Sequence, residues 1–268
     1  VFSAYVDEAL EGKLSEAHIQ YDIKRLSKFW GKRRVSQVNF HSCKEYVAHR
    51  NGLVSSGKEL AYLTAAMRHW HKRHGPLKVL PIVDKPAPPE ARIHYMTRTQ
   101  AAAFLWKARR SPHLARFFII GWYTGSRKSV ICGLRWSMVN LKSGIMMRKP
   151  PGAKQAKNKK APPVRMGDRL MSHMRRWKRL DGEIEVVLHY RGKPIKGLTS
   201  SWDQTRVDAK LPAYVTPHVL RHTRATYMMK EGVDPWEASK ALGMSVATLE
   251  KHYGHHHPSW QKESANVR

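Results

Sequence analysis

Apolar residues recur every three or four positions early in the chain, in Ile19, Ile23, Leu26, Phe29 and Trp30 and again in Leu60, Leu63, Ala66, Met67 and Trp70. That period aligns them on one helix face, so residues 15–75 are expected to form a small helical domain. Five prolines then interrupt the pattern, Pro76, Pro81, Pro86, Pro88 and Pro89, and predict an extended linker. We therefore divide the chain into a helical domain (1–80), a linker (81–93) and a second domain (94–268).

The second domain opens on Thr97-x-x-Gln100, a capping box that predicts a helix to about Arg110. An apolar segment, 114–123, ends at Thr124-Gly125, where glycine permits a tight turn. Residues 144–148 and 163–166 are short strand candidates flanking a lysine-rich turn, and 184–190 is a third. Three short helices follow, capped by Thr216 before Pro217, by Asp234 before Pro235, and by Ser245; Gly232 and Gly243 stop the first two. The expected fold is mainly α with a small antiparallel β-sheet.

Charge changes the picture from fold to partner. The 268 residues carry 49 Lys and Arg against 20 Asp and Glu, a net +29. Residues 1–90 hold 15 basic and 9 acidic residues and the remainder 34 and 11, so an excess of 23 lies beyond residue 90. A polyanion explains such an excess, because each phosphate neutralised releases condensed counterions. No basic amphipathic helix or lipidation signal favours a membrane instead, and the apolar stretch at 117–122 is far shorter than the roughly 20 residues of a spanning helix. In the front domain Lys24, Arg25, Arg68 and Lys72 lie on helices where they could track phosphates. Cys43 and Cys132 are too few for a disulfide framework or a zinc site; both read as small buried hydrophobes, in keeping with a reducing cytoplasm. The chain opens on Val1 with no basic-then-apolar leader, so an upstream segment is expected to be missing from it.

Four pieces of the second domain carry chemistry together that none carries alone. These are Thr124-Gly125-Ser126-Arg127, the basic turn with Lys154, Lys157, Lys159 and Lys160, His218-Val219-Leu220-Arg221, and Tyr253 ten residues beyond Gly243. Two arginines can grip the non-bridging oxygens of one phosphodiester and stabilise its pentacoordinate transition state. Tyrosine is a weak nucleophile when protonated, with a reference pKa of about 10, so cationic neighbours that favour phenolate activate it. A lysine on the turn can protonate the departing oxygen.

In order and spacing these motifs resemble the tyrosine recombinase, or phage integrase, family. The resemblance implies Arg127 as the first arginine, a hairpin lysine as general acid, His218 and Arg221 from the HxxR motif, and Tyr253 as nucleophile. Lys157 falls at the lysine position, with Lys159 second; Lys154, Lys159 and Lys160 are then phosphate contacts. It also implies a helical core-binding domain ahead of the catalytic one, double-stranded DNA as partner, a homotetramer on two sites, accessory bending or directionality factors, and chemistry without cofactor or metal. Two departures stand out. Val130 replaces a frequent acidic residue, and Leu242-Gly243-Met244 stands where the family reads Leu-Gly-His, putting a thioether at the second-histidine position. The nearby His255, His256 and His257 read as a surface turn. Rival readings are a type IB topoisomerase and a DNA-binding regulator that has lost catalysis.

Overall fold

A computed structural model describes the chain except residues 13–15, 88–93, 151, 153–159, 196, 263 and 268, and the side chain at 266. The chain divides into two compact units, Val1–Ala91 and Arg92–Arg268.

The front unit contains Phe2–Ala9 (α1), Glu16–Trp30 (α2), Phe40–Arg50 (α3) and Leu53–Arg73 (α4). The apolar stripes of α2 and α4 meet as the periodicity requires, burying Leu26, Trp30, Leu60, Leu63 and Met67 with Tyr46 of α3. The helical reading of 15–75 is interrupted at 31–39, and α3 restarts where the Asn39 side chain accepts from the Ser42 N–H. Helix α1 lies ahead of the helical pattern read at 15–75 and is tied to the end of α4, because the Glu8 carboxylate takes His69 Nε2 at 3.0 Å and His74 Nε2 at 2.7 Å. Residues 81–87, read as linker, lie on this unit: Val83 is buried in the same core. Glu59, buried inside it, accepts from Tyr46 and takes two bonds from Arg50.

The second unit contains Arg98–Ala108 (α5), Pro112–Thr124 (α6), Lys128–Cys132 (α7), Asp168–Asp181 (α8), Thr199–Asp208 (α9), Val219–Lys230 (α10), Pro235–Leu242 (α11) and Val246–Tyr253 (α12). Strands Val139–Asn140 (β1), Ile145–Met146 (β2) and Val164–Arg165 (β3) form an antiparallel sheet in that order, with Met146 opposite both Val139 and Val164. The expectation of a mainly α fold with small antiparallel sheets is met. Its main core packs Phe104, Phe117, Phe118 and Trp202, and a smaller core of Ala225, Met229, Ala238, Leu242, Leu249 and Tyr253 joins α10, α11 and α12.

Three local expectations need correction. The strand at 184–190 is shorter: only His189–Tyr190 (β4) pairs with Lys193–Pro194 (β5), while Val186 makes an isolated bridge to Arg135. Positive φ at Arg191 and Gly192 builds the tight turn that closes this hairpin. Thr216 does not cap α10, because residues 216–219 form a turn ahead of it, with the Val219 N–H bonded to Thr216 O, and the helix starts two residues beyond Pro217 with His218 as its N-cap. Cys43 is buried, but Cys132, at the end of α7, is only half-buried.

Behind α6, Arg116 donates both terminal nitrogens to Asp181 at 2.7 Å, and the same carboxylate holds Trp136 Nε1 and His189 at 3.0 Å. Burial alone pushes the Asp181 carboxyl up, but the bonds from Arg116 and His189, the Arg116 charge and the Trp136 N–H outweigh it and bring it below its ordinary value. A depressed carboxylate stabilises the fold above the unfolded pKa, about 3.9, and that contribution disappears as pH falls through the lower folded value. Asp181→Asn leaves Arg116 buried without its counter-charge and should cost about 3–5 kcal/mol in urea unfolding. A loss under about 1 kcal/mol would show that the network adds nothing to stability.

Candidate active site

Two helix ends build this site. Helix α6 stops at Gly125 (φ +60°) and α11 at Gly243 (φ +66°), left-handed conformations that L side chains rarely adopt. A Cβ at Gly125 would lie 2.5 Å from Leu242 Cδ2, and one at Gly243 2.6 Å from the Lys160 carbonyl oxygen. Close passage of these segments brings the last carbonyls of both helices to one place, and those carbonyls have no partner within their own helix.

Three arginines take them. Arg221 donates to Gly125 O at 3.1 Å and Leu242 O at 2.6 Å; Arg127 donates to Lys160 O at 2.6 Å and Gly243 O at 3.3 Å. Arg148 donates to Thr124 O at 2.6 Å and to Ala241 O. Carbonyls orient these guanidinium groups without cancelling their charge. Burial and the like charges of Arg221 and Arg127 bring Arg148 down to about 10, and burial with Arg127 brings Arg221 to about 10. Burial lowers Arg127 as well. The cluster is electrostatically poised for an anion.

Arg127, Lys160, His218, Arg221, His222, Met244, Ser245, Thr248, His252 and Tyr253 line a cleft of about 570 Å³. No carboxylate is among its described lining residues. Tyr253 is buried, 4% exposed, at the end of α12, and its Oη lies 2.6 Å from His222 Nδ1. Burial raises the phenol above its ordinary value and Arg221 partly opposes the rise. The His218 ring stands edge-on to His222 at 4.8 Å, its pKa lowered by burial, Arg221 and Arg127. Met244 is half-buried, touching the small core on one side and the cleft on the other.

The structure thus brings together Arg127, His218, Arg221, Met244, Tyr253 and Lys160. Lys154, Lys157 and Lys159 lie outside the described residues, on the connection between β2 and β3. In the front unit Lys24, Arg68 and Lys72 are exposed, whereas Arg25 bonds Tyr21 Oη at 2.6 Å and approaches Glu59 to 3.9 Å. Sequence reasoning missed Arg148, His222 and His252. Arg148 had a signal, since it shares the strand face of buried Met146 two residues earlier. His222 follows Arg221 and lies one turn beyond His218, but neither spacing distinguishes a site residue from a packed one.

The sequence model of the Phage integrase family matches residues 95–259, more than half of the chain. The chain belongs to this family. It is 26% identical over 249 residues to the tyrosine recombinase XerA of Thermococcus kodakarensis, an alignment covering 91% of this chain and 85% of that protein. It is 24% identical over 240 residues to the XerC of Xanthomonas campestris pv. campestris, covering 84% and 72%. Among solved structures, the Tn1549 transposon integrase in complex with transposon right end DNA superposes with a TM-score of 0.77 at 15% identity, covering 98% of this chain and 96% of that one. A lambda integrase dimer bound to a core site gives 0.77 at 16% identity, covering 94% and 75%. Family membership makes this integrase a site-specific recombinase, an enzyme that cleaves and rejoins DNA.

Gly243 is where the site's geometry is most exposed to a single atom. Gly243→Ala places an L residue at positive φ, costing about 1–2 kcal/mol, and presses a methyl into the Lys160 carbonyl and the Pro162 ring, costing about 1–3 kcal/mol more. Urea unfolding of the variant measures the sum. A stability equal to wild type would show that the close approach of α11 to Lys160 is not needed.

Proposed function

We propose that this recombinase breaks duplex DNA by attack of Tyr253 on a backbone phosphate, forming a 3′-phosphotyrosyl bond and freeing a 5′ hydroxyl, and that it integrates or excises a mobile element. The observation that carries this reading is the pair Arg127 and Arg221, held by carbonyls and uncompensated by any described carboxylate in the cleft that Tyr253 lines. Such donors stabilise charge that develops on a phosphoryl oxygen. His218 adds an imidazole to the same wall. The leaving oxygen needs a proton, for which Lys157 is the candidate and Lys159 the alternative. Because the phosphotyrosine retains the energy of the broken bond, a second 5′ hydroxyl can reverse the step, and the scheme requires neither ATP nor a metal.

Duplex DNA is the partner that an excess of 23 positive charges beyond residue 90 favours. Lys160, Lys154 and Lys159, with Lys24, Arg68 and Lys72 of the front unit, are proposed phosphate contacts; Arg25 serves there only if it gives up Tyr21. The front unit is the proposed core-binding domain. A lambda integrase neighbour sits on its core site as a dimer, and a tetramer on two sites, with accessory factors, is proposed here by family analogy.

Incubation with a nicked suicide duplex tests the nucleophile. Wild type should accumulate a denaturant-resistant protein–DNA adduct, and Tyr253→Phe should form none. An adduct with the phenylalanine variant sinks the assignment.

Met244 stands in the wall where the family has histidine. Since its thioether packs on the small core, Met244→His should bury an imidazole at the expense of that packing. The variant is expected to cleave no faster than wild type and to lose about 1–3 kcal/mol of stability. Single-turnover cleavage beside thermal unfolding decides; a faster enzyme of unchanged stability would mean that the site merely lacks a donor.

A further inference from the structure

We propose that His222 is the general base of the cleavage step, taking the Tyr253 proton through the hydrogen bond between its Nδ1 and the tyrosine Oη. The proposal rests on Tyr253 being the nucleophile.

A phenol that attacks phosphorus must lose its proton, and the site offers few places for it. Tyr253 is buried and kept protonated, so its O–H needs an acceptor. Guanidinium and ammonium groups have no acceptor lone pair, which removes Arg127, Arg221 and Lys160. The described lining side chains include no carboxylate, and of the three lining imidazoles, His218, His222 and His252, it is His222 that lies at 2.6 Å from Oη. Burial, together with His218 and Arg221 on its own helix, His252 on α12 and His94 ahead of α5, holds His222 at about 4. It is therefore neutral near pH 7 and carries one free nitrogen lone pair. With the protonated tyrosine donating to Nδ1, the imidazole's own proton is on Nε2.

The step balances. The Tyr253 O–H bond breaks and its proton passes to Nδ1, giving an imidazolium; the Oη–P bond forms as the P–O5′ bond breaks. The leaving O5′ takes a proton from the hairpin lysine proposed above. Religation runs the same transfers backwards, with His222 returning its proton to Tyr253. Burial is the largest cause of this imidazole's weak basicity and the Arg221 charge adds to it; a phosphate seated against Arg221 offsets that second part, so His222 gains proton affinity when substrate is present.

The protein's own resting state can be probed first. In the wild type with 15N-labelled histidine at pH 7, the His222 Nδ1 resonance should be that of an unprotonated, hydrogen-bonded nitrogen; a protonated Nδ1 means that the imidazole donates to the tyrosine and overturns the proposal. The kinetic test is single-turnover cleavage of the nicked duplex by His222→Asn and His222→Ala, with DNA affinity and thermal unfolding measured beside it. Asparagine can still accept the tyrosine hydrogen bond but cannot carry a proton. Both variants should bind DNA as wild type does and cleave about 100-fold or more slowly. Cleavage by His222→Asn at the wild-type rate would reduce His222 to a positioning residue, and faster cleavage by either variant would make the bond a latch; each outcome overturns the proposal. Failure of the underlying reading is separable, because it would show as an adduct formed by Tyr253→Phe.

Discussion

Everything at the site depends on how positive charge is held in place. A buried arginine ordinarily needs a carboxylate, and the two charges then largely cancel. Here Arg127, Arg148 and Arg221 are instead oriented by backbone carbonyls at the ends of α6 and α11 and by Lys160 O. Those carbonyls lack partners within their own helices and sit at the negative ends of the helix dipoles, so one arrangement satisfies the helix ends and fixes the guanidinium forks. Fixed dipoles orient a cation without neutralising it. Burial lowers all three arginines, and like charge adds to it at Arg148 and Arg221, a repulsion that an anion would relieve.

The position of Tyr253 follows from a different constraint. Helix α12 brings Tyr253 into the site only because Leu249 and the tyrosine ring itself belong to the small core with Ala225, Met229, Ala238 and Leu242. That core shares α10 and α11 with the arginine cluster: Arg221 and His222 come from α10, and α11 supplies the carbonyls of Ala241 and Leu242. Packing on one side of α10 and charge on the other are therefore coupled. Thr223 extends the coupling, because its hydroxyl donates to Val219 O and accepts from Met96 N, fixing the chain that enters α5. Met244 sits at the boundary, and a thioether suits the core side better than the polar cleft side.

Much of this was legible beforehand wherever side chain and backbone conformation were coupled locally. Thr97, Asp234 and Ser245 cap helices as read, and Gly243 ends α11 in the left-handed region. Arg127, His218, Arg221 and Tyr253 were singled out because their order matched a known constellation; that they line one cleft, across more than 100 residues, could not be derived from periodicity. Arg148 escaped because its importance lies in which carbonyls happen to be free nearby, a tertiary property. The Thr216 start failed for a local reason: residues 216–219 form a turn and the helix begins only at Val219, so Thr216 lies two residues ahead of the N-cap. His222 escaped because a histidine one turn from another is ordinary until the tyrosine 31 residues away closes on it.

The distribution of buried acids completes the account. Glu59 and Asp181 are the buried carboxylates on which arginines converge, Arg50 in the front unit and Arg116 in the second. Helix α6 shows both arrangements along one length. Near its start Arg116 is neutralised by Asp181, and at its end the carbonyls of Thr124 and Gly125 hold Arg148 and Arg221 with no acid among the described residues lining the cleft. An aspartate placed at the second location would stabilise the cluster more than carbonyls do, and by the same interaction would occupy the donors and repel a phosphate. A site that binds an anion keeps its cations poorly satisfied, whereas the arginine two turns away on the same helix, with no anion to receive, is neutralised within the fold.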